Sequence, residues 1–158
     1  MLGDFNNIFG SENKVAGNDN TISGSINVVK GSENSIKGNE NLVDGNKTLI
    51  EGRLNVVSGN ENKILGNEST VVGSRNTLEG NKNLAAGNDN SIKGSENIVE
   101  GSSNNLIGSQ NSVAGSSNQV SGDSNFLKGD SNILVGSNNG ILGSSNQVLG
   151  SDNILNGN

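Results

Sequence analysis

The sequence predicts an all-β fold, a parallel β-solenoid of eleven 14-residue coils with two short strands in each coil. Three observations predict it. Glycine recurs at every seventh residue from Gly3 to Gly157, each heptad carries one aliphatic residue at a constant place, and the size of that residue alternates between successive heptads. The 22 heptads run from Gly3 to Asn156 without an insertion. We therefore expect one solenoid domain over residues 1–158, with no linker.

The repeat unit is G-[SND]-x-N-x-[VIL]-x, in which positions are counted from the glycine. The fourth and sixth positions lie two residues apart and share one face of a strand, which we expect to run roughly from the third to the seventh position. The glycine and the Ser, Asn or Asp that follows it tolerate positive φ, so they predict a corner. A coiled coil is excluded, because it needs two apolar positions in each heptad and each helical glycine costs about 1 kcal/mol.

Two patterns with a period of 14 predict that each coil contains two heptads. At the sixth position, the larger Ile22 and Ile36 alternate with the smaller Val29 and Val43, and this alternation continues to Val113. At the third position of alternate heptads, the sign of the charge alternates through Glu33, Lys47, Glu61, Arg75 and Asp89. Residues 14 apart would then stack about 4.8 Å apart on neighbouring parallel strands. A triangular coil of three heptads explains neither pattern.

The asparagine at the fourth position is predicted to point inward beside a corner. There its amide can satisfy backbone groups that leave the sheet, and amides of successive coils can bond to one another. Thr48 and Ser69 replace asparagine with another small hydrogen-bonding group. The predicted structural ladder includes Asn6, Asn13, Asn20, Asn27, Asn34, Asn41, Asn55 and Asn62.

The composition excludes several classes of function. The chain has no His and no Cys, which removes the usual ligands of zinc, copper, haem and iron–sulfur centres. Its net charge of −6 argues against a nucleic-acid or anionic-membrane partner. Apolar runs reach only two or three residues, too few for a membrane-inserted segment. Unbroken heptads leave no loop from which to build a pocket, so we predict no catalytic, cofactor or metal site.

The fifth position predicts an exposed apolar stripe on one side of the solenoid. In even-numbered heptads it holds a large apolar residue in seven of eleven cases, whereas odd-numbered heptads have only Leu49 and Ile133. A continuous exposed stripe of this kind is typical of an association surface. The predicted interface consists of Val28, Leu42, Val56, Leu84, Ile98, Phe126 and Ile154.

The motif G-x-x-N-x-V-x, repeated from residue 3 to residue 157, resembles that of the ice-recrystallisation-inhibition (antifreeze) proteins of grasses. It is also similar to the heptad-repeat heads of trimeric autotransporter adhesins. The resemblance implies a left-handed β-roll. It further implies that an ice-binding member uses a regular, commonly Thr-rich array at the fifth and seventh positions of one side. If the chain is a fragment of such a protein, an extracellular or appendage surface is implied.

Two functions follow from these observations. Thr21, Thr70 and Thr77 are the only threonines at the fifth position, and long charged side chains occur on both sides. The sequence therefore favours a non-enzymatic structural or interaction rod. We expect this rod to self-associate, to stack end to end, or to dock a protein partner through the even side. The alternative is an ice-binding protein, with an ice surface as its partner and absent or weak ice activity expected.

Overall fold

The computed structural model describes residues 2–157, which form two parallel β-sheets of eleven strands each. The odd sheet contains the odd-numbered strands β1 to β21 in order, and the even sheet contains β2 to β22 in order. Successive strands belong to opposite sheets, so each coil contributes one strand to each sheet. This arrangement confirms the predicted all-β parallel solenoid with two strands per coil.

All 22 strands are three residues long. Their bounds are β1 Asn7–Phe9, β2 Lys14–Ala16, β3 Thr21–Ser23, β4 Val28–Lys30, β5 Ser35–Lys37, β6 Leu42–Asp44, β7 Leu49–Glu51, β8 Val56–Ser58, β9 Lys63–Leu65, β10 Thr70–Val72, β11 Thr77–Glu79, β12 Leu84–Ala86, β13 Ser91–Lys93, β14 Ile98–Glu100, β15 Asn105–Ile107, β16 Ser112–Ala114, β17 Gln119–Ser121, β18 Phe126–Lys128, β19 Ile133–Val135, β20 Gly140–Leu142, β21 Gln147–Leu149 and β22 Ile154–Asn156.

The register between neighbouring strands is 14 residues throughout both sheets. Near the beginning of the odd sheet Asn7 pairs with Thr21, and near its end Ile133 pairs with Gln147. The predicted stacking of residue i on residue i+14 is therefore confirmed. Every position of the heptad therefore forms one column along each side of the solenoid.

The corner differs from the sequence-based prediction. Each strand covers only the fifth to seventh positions, and the third position lies in the left-handed region with φ between 55° and 63° in all 22 heptads. The prediction that the strand begins at the third position was therefore wrong. Residues as different as Glu33, Leu54 and Ser117 adopt this conformation. Each side chain there is exposed, and the backbone N–H donates to the coil before it, as Glu33 does to the carbonyl oxygen of Asn18 at 3.0 Å, so the stacking of coils maintains this unfavourable conformation.

The core is a single column of aliphatic side chains from each sheet. The 19 sixth-position residues from Val15 to Ile141 are each at most 4% exposed. Ile8, Val148 and Leu155, in the first and last described coils, are partly buried and pack against the same cluster. Burial of a Val, Leu or Ile side chain contributes roughly 1.5–3 kcal/mol. The inner columns therefore hold the two sheets together along the length of the rod.

The heptad glycine is required by the close approach of neighbouring coils. At Gly87, for example, φ is +134° and a Cβ atom would lie 2.0 Å from the carbonyl oxygen of Gly101. Any side chain there would push the coils apart. Gly140 is different, because it lies in a strand at the fifth position and a Cβ would meet nothing within 4 Å.

Candidate functional site

The fourth-position asparagines form a hydrogen-bonded ladder inside each corner. Nδ2 of Asn34 donates to Oδ1 of Asn20 at 3.0 Å and to the carbonyl oxygen of Gly45 at 2.8 Å. Its own Oδ1 accepts from the backbone N–H of Thr48 at 3.0 Å. The asparagine amide thus satisfies the backbone groups that the corner removes from the sheet, and it ties each coil to the next.

The structure places the eight asparagines of the predicted ladder in two columns. Asn20, Asn27, Asn34, Asn41, Asn55 and Asn62 are buried. Asn6 and Asn13 are only partly buried, because their coil has a neighbouring coil on one side among residues 2–157. Their Nδ2 atoms still donate to the carbonyl oxygens of Gly17 and Gly24, at 2.7 and 2.8 Å.

The two exceptions at the fourth position behave differently from one another. Ser69 Oγ accepts from the N–H of Asn83 at 3.2 Å, so it continues the column. Thr48 Oγ1 is buried without a hydrogen-bond partner. The expectation that Thr48 preserves the hydrogen bonding was therefore wrong. Neither hydroxyl replaces the two donations that the amide of Asn34 makes, to Oδ1 of Asn20 and to the carbonyl oxygen of Gly45.

A second ladder, which the sequence analysis missed, runs through the second position. The backbone N–H of Ser32 donates to Oδ1 of Asn46 at 2.7 Å, and the N–H of Asn46 donates to Oδ1 of Asn60 at 2.8 Å. This requirement for a short acceptor side chain explains the restriction to Ser, Asn and Asp. Arg53 is the exception and provides no such acceptor to the preceding coil. The only sign of this ladder in the sequence is the restriction of the second position to Ser, Asn and Asp, and a local turn explains that restriction equally well.

Together these ladders give the protein two regular outer surfaces. On each sheet the fifth and seventh side chains point outward in two parallel columns, with neighbouring strands about 4.8 Å apart. Ladders of stacked side chains stabilise such regular sheets. The outer columns are therefore the candidate binding surfaces of the two sheets.

The predicted apolar interface lies in one column of the even sheet. Strand pairing places Val28 beside Leu42 and Leu42 beside Val56, and further along it places Leu84 beside Ile98. Val28, Leu42, Val56, Ile98 and Phe126 are each 40–49% exposed, Leu84 is less exposed and Ile154 is fully accessible at 92%. Thr70, Ser112 and Gly140 interrupt the column.

Charged side chains interrupt the outer columns unevenly. On the even sheet the charged outward residues are Lys14, Lys30, Asp44, Glu100 and Lys128. On the odd sheet they are Lys37, Glu51, Lys63, Glu79 and Lys93. Two ion pairs bridge neighbouring strands, with Lys30 Nζ 3.2 Å from Asp44 Oδ2 and Lys93 Nζ 3.8 Å from Glu79 Oε2. Such exposed pairs contribute little stability, but each keeps its surface hydrated.

The outward side chains of β15, β17, β19 and β21 carry no charge, and we call this surface the charge-free segment. Its apolar members are Ile107, Ile133, Val135 and Leu149. Its polar members are Asn105, Gln119, Ser121 and Gln147. The longest comparable run on the even sheet is three strands, β8, β10 and β12.

The strongest exposed ion pair lies at a corner, in the predicted column of alternating charge. Arg75 Nε and Nη2 donate to the two carboxylate oxygens of Asp89 at 2.7 and 2.8 Å. The hydrogen bond from Arg75 lowers the pKa of Asp89, and the same bond raises the pKa of Arg75. This pair is a surface contact between coils rather than a reactive site.

Residues 2–157 contain no group of three or more acidic side chains arranged to hold a metal ion. In the same part of the chain, no helix has the length and hydrophobicity needed to cross a membrane. Two acidic residues of the second position, Asp123 and Asp130, accept backbone N–H bonds from Ser109 and Ser116 at 2.6 Å. Their carboxylates thus belong to the second ladder.

Comparison with known proteins agrees with the geometry. No curated protein matches the sequence. The sequence profile of the grass antifreeze β-roll family matches residues 1–73 and again residues 72–158, so the two matches cover the whole chain. The matched regions contain all 22 heptads and both sheets of the solenoid. The chain belongs to the grass antifreeze β-roll family.

Proposed function

We propose that this protein binds ice and inhibits its recrystallisation, without enzymatic activity. The observation that carries the proposal is the family match over both halves of the chain. The unbroken 14-residue register supports it, because both sheets present outward columns with a constant repeat. Family membership therefore places ice binding ahead of the rod that the sequence alone favoured.

The fold suits adsorption to an extended solid. Individual van der Waals and hydrogen-bonding contacts to a surface are weak, so many must form together. The asparagine ladder holds the coils in place before binding, which reduces the entropy lost when the surface is engaged. No loop projects between β1 and β22, because the heptads follow one another without insertion. The side chains of one sheet can thus meet a planar partner simultaneously.

A recrystallisation assay tests this proposal. Purified protein at micromolar concentration is expected to keep ice grains small during annealing of a frozen sucrose solution. We expect weak thermal hysteresis in the same sample, because hydrated charges interrupt parts of both outer surfaces. The control is a globular protein of similar mass and net charge without a solenoid fold. Grain growth equal to that in the control would contradict the proposal.

The exposed apolar column of the even sheet favours a second function, self-association of the rod. Changing Val56 and Ile98 together to Lys is expected to dissociate a dimer formed through this surface, because both side chains point outward. The control changes Ser35 and Thr77 to Lys, which adds the same charge at the same spacing on the odd sheet. Sedimentation velocity distinguishes these results. A monomeric unmodified protein at high concentration would rule out the second function.

A further inference from the structure

The charge-free segment differs from β5 to β13 of the odd sheet in the charge of its outward side chains. The five charged outward residues of this sheet all lie between Lys37 and Lys93, on β5 to β13. From Asn105 to Leu149 four successive strands carry none. The backbone conformation and the 14-residue register are the same on both sides of this boundary, whereas the charge of the outward side chains differs.

The chemistry of this segment is apolar with interspersed amides and one hydroxyl. Ile107 and Val135 are 53% and 45% exposed, and the small Ser121 lies between them in the same column. A shallow depression of about 160 Å³ therefore forms over Ser121. Gln119 lines this depression as well. The depression has room for several water molecules beside polar groups that can hydrogen-bond to them.

We propose that ice contacts this protein through the charge-free segment of the odd sheet. This inference rests on the proposed function and names the surface that performs it. The segment is the longest run of uncharged outward residues on either sheet. On the even sheet, Glu100 and Lys128 interrupt the surface that follows β12.

Charge is the physical reason for this choice. Ice is a neutral lattice of water molecules with fixed positions. A lysine or glutamate holds a hydration shell oriented by its charge, and removing that shell costs free energy. Apolar side chains and neutral amides hold water less strongly. A surface that lacks charge over four coils can therefore meet the lattice without that cost.

Three matched substitutions test the inference, each changing an exposed serine at the seventh position of the heptad, the last residue of its strand, to Lys. Ser121→Lys places a charge at the centre of the charge-free segment. Ser23→Lys places a charge on β3, in the odd sheet outside the charge-free segment. Ser58→Lys places a charge on β8 of the even sheet. The Ser121→Lys variant is expected to need at least roughly tenfold more protein to inhibit recrystallisation, because a charge must be desolvated. The two controls are expected to change by less than about twofold. Circular dichroism verifies the fold, and Gln119→Lys serves as the second variant in the segment.

Each of the other possible results contradicts either this inference or the proposed function. If Ser58→Lys loses activity and Ser121→Lys retains it, the even sheet binds ice and this inference is wrong, while the proposed function stands. If all three variants lose activity equally, the contact is not confined to the segment. If Ser121→Lys dissociates a dimer of the unmodified protein, a second copy of the chain covers the segment. If the unmodified protein itself is inactive, the proposed function fails before any variant is compared.

Discussion

Gly87→Ala is expected to lower the free energy of unfolding by at least about 4 kcal/mol. The new Cβ would lie 2.0 Å from the carbonyl oxygen of Gly101, and the residue would keep a φ of +134° that side-chain-bearing residues rarely adopt. Relief requires the two coils to separate. That separation weakens the hydrogen bond from the N–H of Gly101 to the carbonyl oxygen of Ala86, now 2.8 Å. The midpoint of unfolding in urea, followed by circular dichroism, measures the effect.

Gly140→Ala is the matched control for this substitution. Gly140 lies in β20, outside the left-handed region, and a Cβ there meets nothing within 4 Å. Alanine reduces the freedom of the unfolded chain, so we expect a gain of about 0.4–1 kcal/mol. Equal midpoints for the two variants would show that the contact between stacked glycines does not constrain the coils.

Asn90→Leu is expected to destabilise the protein by about 3–5 kcal/mol, since several buried polar groups lose their partners. Asn90 is 1% exposed. Its Nδ2 donates to Oδ1 of Asn76 at 3.0 Å and to the carbonyl oxygen of Gly101 at 2.8 Å. Its Oδ1 accepts from the backbone N–H of Asn104 at 3.0 Å. Leucine fills the space but forms none of these bonds. Denaturant unfolding checks the loss.

Two further substitutions separate the ladder from general effects of leucine. Asn105→Leu changes an exposed asparagine of β15, in the next coil and outside the ladder, and is expected to alter stability by at most about 0.5 kcal/mol. Asn62→Leu is expected to cost only about 1–3 kcal/mol. The cost is smaller because Asn62 has one hydrogen bond fewer to lose. Thr48, in the coil before it, has no amide oxygen to accept from Nδ2 of Asn62. Equal stability of the Asn90→Leu and Asn105→Leu variants would contradict a supporting role for the ladder.

The ladder also predicts a gain at its defect. Thr48→Asn is expected to stabilise the protein by about 1–2 kcal/mol, because it replaces a buried hydroxyl that lacks a partner. The new amide can donate to the carbonyl oxygen of Gly59, as Asn34 donates to Gly45. Thr77→Asn, at a half-buried outward position of β11 outside the ladder, is the control. A Thr48→Asn protein no more stable than this control would show that the defect costs nothing.

The position of the charge-free segment could have been predicted from the sequence once the coil length was known. The 14-residue period assigns Asn105, Gln119, Ile133 and Gln147 to one column, and all are uncharged. The even column of Val28, Leu42 and their equivalents is more apolar, and the sequence-based prediction placed the interface there. Apolar character alone did not single out the charge-free segment, because that segment is defined by the absence of charge over both outward columns.

The second-position ladder shows why part of the site could not be predicted. Ser, Asn and Asp at this position are compatible with a local turn, in which the side chain bonds within its own heptad. In the folded protein the Asn46 side chain instead accepts from the N–H of Ser32, one coil earlier. Only the stacking of coils places these two residues together, and local propensity contains no information about that contact.

The sequence by itself determined the period, the inward and outward positions and the two sheets. Each of these follows from a residue pattern that repeats every 7 or 14 positions, and identical positions must stack when a coil closes. The tertiary structure alone decided the corner, where variable residues such as Glu33 and Ile26 adopt φ near +60°. It also decided that Thr48 lacks a partner whereas Ser69 has one. These features depend on contacts between neighbouring coils, and the types of the individual residues do not specify those contacts.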